Sequence, residues 1–155
     1  MDLNSLYLLL HVLSATIWVG GMYFAYMCLR PVAATQLDPP VRLRLWVGVF
    51  TKFFPVVWIA IVLLPVTGYA MIFSIWQSME VTPLYVHSMN GLGTLMLLIY
   101  MYVYFAPFNR LKKAVLAEQW PASGAALAQI RQLIALNLSL GLLVIAIASG
   151  GRYFG

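Results

Sequence analysis

The chain has 155 residues, 63% of them hydrophobic and 8% charged, with a mean hydropathy of +0.91. A soluble domain carries about a quarter charged residues, so this composition excludes a cytosolic enzyme, a nucleic-acid binder, a disordered tail and a disulfide-stapled secreted domain. The single cysteine, Cys28, has no second cysteine to pair with, and the net charge of +5 must be read from where the charges fall.

Four stretches free of Asp, Glu, Lys and Arg are long enough to cross a bilayer: 3–29, 53–76, 81–109 and 132–151. A hydrocarbon core of about 30 Å takes about 20 helical residues. Lipid offers the backbone no water to bond, so each stretch is predicted helical. The apolar runs are continuous and do not alternate, which excludes a β-barrel. The expected fold is therefore all-α: an integral membrane four-helix bundle forming one transmembrane domain over 1–155. The first stretch opens Met1-Asp2-Leu3-Asn4, with no basic residue, and its apolar run is too long for a signal peptide. It reads as a mature helix.

The first connection holds Asp38-Pro39-Pro40, which breaks helix and is expected at the interface. Within the second span, Pro55 and Pro65 are expected to kink the helix and free carbonyls, with Gly68 following. The third span ends in Tyr100-Met101-Tyr102-Val103-Tyr104-Phe105, which reads as an interfacial aromatic belt. Beyond it, Arg110 to Trp120 reads as an interfacial helical turn, followed by a break at Pro121-Ala122-Ser123-Gly124. Asn137, with Gly141 one turn later, is the strongly polar group of the last span and is expected to tie helices together.

Arg30, Arg42, Arg44, Lys52, Arg110, Lys112, Lys113 and Arg131 flank the first and third connections; of the nine basic residues only Arg152 lies elsewhere. This asymmetry puts those connections in the cytoplasm and both termini in the periplasm of a bacterial inner membrane.

His11 and His87 are the side chains within the spans that titrate near neutral pH, and such groups are costly in lipid. Measured from Leu3 and Val81, they lie about 12 Å and about 9 Å along their helices, both in the outer half. Helical spacing from His11 reaches Ser14, Ala15, Trp18 and Met22; from His87 it reaches Asn90, Gly91, Thr94 and Leu98. The second series is a small and polar stripe expected to face protein. Two imidazoles at one depth suit the axial positions of a haem b, with Trp18, Asn90 and Gly91 beside the ring. Copper is the alternative cofactor, on His11, His87, Met22 and Met89, because imidazole and thioether both bind it. A proton relay through Asn90 or Asn137, or plain structural hydrogen bonds, also accommodate the histidines.

His11 followed by Trp18-Val19-Gly20-Gly21-Met22 and then Arg30-Pro31 resembles the opening helix of the copper-resistance protein D (CopD) family. Arg131 to Asn137 with Gly141 resembles that family's last helix. The four-span layout is also similar to HemJ-type protoporphyrinogen oxidases, whose important polar groups are a first-helix histidine and a third-helix His-x-Lys. Here Met89 stands at the lysine position, Tyr26-Met27 where that family has Pro-Arg, and Leu138 where it has Glu. The CopD resemblance implies copper uptake or tolerance, and the HemJ resemblance implies haem b. The departures take away a base and do not imply porphyrinogen oxidation.

The leading expectation is a haem b protein passing electrons between a membrane donor such as quinol and an acceptor outside, by one-electron chemistry at iron. The second is a copper-binding membrane protein, and the third a non-catalytic assembly subunit; whether the chain catalyses a reaction stays open. The expected partners are membrane lipid, a quinol or redox partner and a second copy in a homodimer, with no nucleic acid. The orientation is checked with reporters fused to the C-terminus. Alkaline phosphatase, active only outside, should score there, and a fluorescent protein that folds only inside should not.

Overall fold

The computed structural model describes residues 2–154, with the side chains of Arg152 and Phe154 outside the description. Four long helices run up and down: α1 Leu3–Gln36, α2 Pro39–Ile75, α3 Leu84–Leu116 and α4 Trp120–Phe154. No strand occurs among the described residues. α1 packs chiefly on α2, and α3 chiefly on α4. Each helix is long and apolar enough to cross a membrane. Leu9, Ile17, Val62, Phe73, Leu98 and Leu142 are exposed, a surface that only lipid would solvate well.

Every helix outruns its charge-free stretch at the end carrying the eight clustered basic residues. α2, with 37 residues, is about 55 Å long, well beyond a hydrocarbon core of about 30 Å. The expected interfacial connections are thus short, a break at Leu37–Asp38 and a turn at Ala117–Gln119, and the helical extension buries Leu43, Trp46, Phe50, Leu111 and Ile130 in the same core as the rest of the bundle. Pro39 and Pro40 do not lie in a loop; they open α2, where the missing N–H costs nothing. Arg110 to Leu116 continues α3 and packs Leu111 at 0% exposure. Only Ala117–Gln119, with Glu118 at φ 54°, forms the turn into α4. Pro121 likewise starts a helix, and the break expected at 121–124 is absent because Ser123 is buried and bonds the Gln119 carbonyl.

Pro55 and Pro65 sit inside an unbroken α2. Pro31 in α1 and Pro107 in α3 coincide with wide turns: α1 passes through a π segment at Phe24–Leu29 and α3 through one at Tyr104–Phe108. Pro31 would press its ring on the carbonyl of Met27, and Pro107 on that of Val103. A wider turn relieves that collision. In the first segment the Arg30 N–H reaches five residues back to Ala25.

The aromatic run of α3 is not a belt. Tyr100, Tyr104 and Phe108 recur every four residues and meet Phe50, Phe54 and Trp58, spaced the same way on α2. Phe54 packs edge-to-face on Tyr100 at 5.5 Å and on Phe108 at 4.8 Å, and Trp58 packs on Tyr104 at 5.3 Å. Tyr100 donates its hydroxyl to the Phe54 carbonyl at 3.0 Å. Tyr102 and Phe105, on the other side of the helix, are exposed. Sequence composition marks such a run, but only the four-residue spacing shared with α2 reveals a core.

At the other end of the chain Asp2 caps α1 by accepting the Ser5 N–H at 2.7 Å, and that bond holds its carboxyl below the usual aspartate range. The cap is complete above the ordinary value of about 4 and is lost as acid titrates through the lowered one. Two changes test the packing. Phe54→Ala, at 4% exposure, should cost about 3–5 kcal/mol in reversible unfolding in detergent. In Gly141→Leu, an added Cβ meets Val19 Cγ2 at 2.8 Å and Met96 Cε at 3.1 Å, and overpacking should cost about 1–3 kcal/mol.

Candidate functional site

His11 is half-buried in α1 and turned onto α2. Its Nδ1 lies 2.8 Å from Thr67 Oγ1, and a Cβ built on Gly68 would stand 3.3 Å from its Cε1. The ring therefore rests on a bare patch of α2 backbone. Thr67, 1% exposed, has one hydroxyl hydrogen and uses it on the Leu63 carbonyl at 2.6 Å. A carbonyl has no hydrogen to give back. The Thr67 oxygen must then accept from the imidazole, which places the ring hydrogen on Nδ1 and leaves Nε2 with a free lone pair. That is the state in which histidine binds a metal, with its other nitrogen held by a neighbouring acceptor.

His87 is held differently. Its Nε2 donates to the Met79 carbonyl at 3.0 Å, and the Thr82 N–H reaches the same carbonyl at 3.2 Å. The ring ties the start of α3 to the turn before it. Pro83 sets the start of α3 at Leu84 and not at Val81, so His87 lies only about 4–5 Å along its helix against about 12 Å for His11. The two imidazoles share no partner, and the depths matched on paper differ by more than a turn.

The other candidates disperse. Trp18 and Met22 are buried at 4% each, and Trp18 packs edge-on to Tyr100 at 6.1 Å. Met22 lies eleven residues along α1 from His11, about 16 Å by helical rise. Met89 is half-buried two residues from His87 and so on a different face of α3. Asn90 donates to the Tyr69 hydroxyl at 3.1 Å. Gly91, Thr94 and Leu98 are exposed, so the stripe expected to face protein lies on the open side of α3. Met96, Tyr100 and Val103 make the buried side instead, because large side chains and not small ones fill the gap to the neighbouring helices. Cys28 is exposed, and no group of three or more His, Cys, Asp or Glu able to hold a metal occurs among the described residues.

Thr67 went unread in the sequence. A threonine in a membrane helix ordinarily bonds only its own preceding turn; the signal was its pairing with Gly68, a polar hydrogen-bonding atom beside a gap.

Two cavities lie nearer the basic end. One, of about 300 Å³, is lined by Arg30, Arg42 and Arg131 with Trp46 and Trp120. The other, of about 270 Å³, lies among Trp18, Met22, Phe54, Tyr100 and Asn137. Ala25, Phe50 and Ile134 line both.

Four apolar helices and a histidine seated between two of them define a small multi-pass membrane protein with a polar site inside its first helix pair. Residues 47–150 match the model of the CopD family, copper resistance protein D, and the chain belongs to that family. No curated protein and no solved structure matches it. The matched region contains Thr67, Gly68, His87 and Asn137, whereas His11 precedes it.

The tautomer is open to direct measurement. In protein labelled with ¹⁵N-histidine, the His11 signals should show a protonated Nδ1 and an unprotonated Nε2. Thr67→Val should convert them to a mixture, and a protonated Nε2 in the wild type would overturn the assignment.

Proposed function

We propose that this CopD-family protein handles copper in a bacterial inner membrane, taking Cu(I) on the Nε2 atom of His11. The observation that carries the reading is the one-way hydrogen-bond chain from His11 Nδ1 through the Thr67 hydroxyl to the Leu63 carbonyl. It fixes the ring, its tautomer and the free lone pair before any ion arrives. The family description, copper resistance protein D, supports copper as the ion. Imidazole suits copper, and thioethers favour Cu(I); Met71 lies one turn along α2 from Thr67 on the same face. In this reading copper is cargo that passes His11, with the thioether of Met71 a turn further along α2.

The basic end supports a cytoplasmic placement of the two connections and an outward placement of His11. Ions would then meet His11 from the periplasmic side. Arg44 and Glu118 pair at 2.9 Å on that basic end, but both are exposed, and the pair contributes at most about 1 kcal/mol.

Competition for Cu(I) against a chromogenic chelator, on protein in detergent, tests the reading. His11→Ala should weaken binding at least tenfold. Thr67→Val should weaken it about tenfold through the misplaced proton, and His87→Ala should leave it near the wild-type value. Equal affinity in His11→Ala would overturn the assignment. A Soret band in the purified protein, lost in both histidine variants, would instead favour the haem b and electron-transfer reading.

A further inference from the structure

The 300 Å³ cleft at the basic end is polar in one sense only. Its polar side chains are Arg30, Arg42 and Arg131, the indoles of Trp46 and Trp120, and Tyr26. Guanidinium and indole can donate hydrogen bonds and cannot accept them, so Tyr26 alone among these side chains could accept. Two of the guanidiniums are held in place. Arg30 lies over the Tyr26 ring at 4.1 Å, and Arg42 gives one of its N–H groups to the Ala34 carbonyl at 3.3 Å. Among the described residues no carboxylate pairs with Arg30, Arg42 or Arg131; the ion pair at this end joins Arg44 to Glu118. Three like charges around one cleft repel one another unless an anion sits among them. Orientation in a membrane calls for positive charge at this end but not for its convergence on a cavity. Lys52 and Lys113 serve orientation equally well and are simply exposed.

We propose that this cleft binds the phosphate headgroup of an anionic phospholipid, held by Arg30, Arg42 and Arg131. The guanidinium fork matches the oxygens of a phosphate, and a basic pocket between spanning helices is where such headgroups are held. The other end of the cleft favours a lipid over a soluble phosphate. Followed towards the apolar layer, the lining loses its charge and ends in Ala25 of α1, Phe50 of α2 and Ile134 of α4. The same three residues line the second cavity, so apolar surface continues past them. A free phosphate would leave that end bare, whereas the glycerol ester and first methylenes of a lipid would cover it. The cleft lies at the opposite end of α1 from His11, and the inference goes beyond the copper reading without depending on it.

The test uses the full chain in detergent, titrated with dioleoyl-phosphatidylglycerol and separately with dioleoyl-phosphatidylcholine, with bound lipid counted by native mass spectrometry. The two lipids share their chains and phosphodiester, but the choline cancels the charge. The wild type should hold phosphatidylglycerol about tenfold more tightly than phosphatidylcholine. Arg30→Gln combined with Arg131→Gln should bring phosphatidylglycerol down to the affinity of phosphatidylcholine. Lys52→Gln combined with Lys113→Gln, which removes as much charge from the same end but outside the cleft, should leave the preference intact. Equal affinity of the wild type for the two lipids would overturn the proposal, and that comparison needs no variant to fold. An equal loss in both double variants would overturn it too, leaving only diffuse attraction to the basic end. Inorganic phosphate at the lipid's concentration should not displace the lipid; displacement would overturn the lipid as occupant and put a soluble phosphate in its place.

Discussion

Interlocking aromatic rings between α2 and α3 do for this bundle what apolar burial does for a soluble one. Lipid is as apolar as leucine, so pressing leucine faces together releases little. Shape and ring electrostatics must hold the halves instead. Phe50, Phe54 and Trp58 on one helix and Tyr100, Tyr104 and Phe108 on the other alternate edge and face in a continuous stack. The Tyr100 hydroxyl fastens the stack to the α2 backbone. Because α1 packs on α2 and α4 on α3, this seam joins two helix pairs that otherwise meet mainly through α4.

His11 shows how little polar material such a protein needs to prepare a site. One threonine hydroxyl, buried and committed to a carbonyl, dictates where an imidazole proton resides eight residues into another helix. One missing side chain, at Gly68, gives the ring somewhere to lie. A serine at position 67 would keep the hydrogen bond, but without the methyl group that packs the hydroxyl in place.

Helix number, length and the crowding of positive charge at one end could be read from composition, because lipid imposes them on every spanning segment. The basic end was misjudged for a related reason. Charge ended each stretch on paper, yet Arg42, Arg44 and Lys52 extend from a helix that simply continues out of the apolar layer. The histidines were recognisable as candidates, but their pairing was not. A linear count of depth assumed α3 began at Val81, and it could not see that His87 would turn back to Met79. The stripe beginning at Asn90 failed because rotation about a helix axis is set by neighbours, and the bulky side of α3 won the interior.

The two wide turns before Pro31 and in front of Asn109 act as phase shifters. Each admits an extra residue into a turn, so the face presented above it does not continue straight below. The basic extension is thereby indexed separately from the lipid-embedded part. Loss or gain of one residue inside such a turn would swivel Arg30 or Lys112 around the axis while the membrane-buried contacts kept their partners. Relatives could in this way vary the guanidinium-lined cleft without rebuilding the bundle above it.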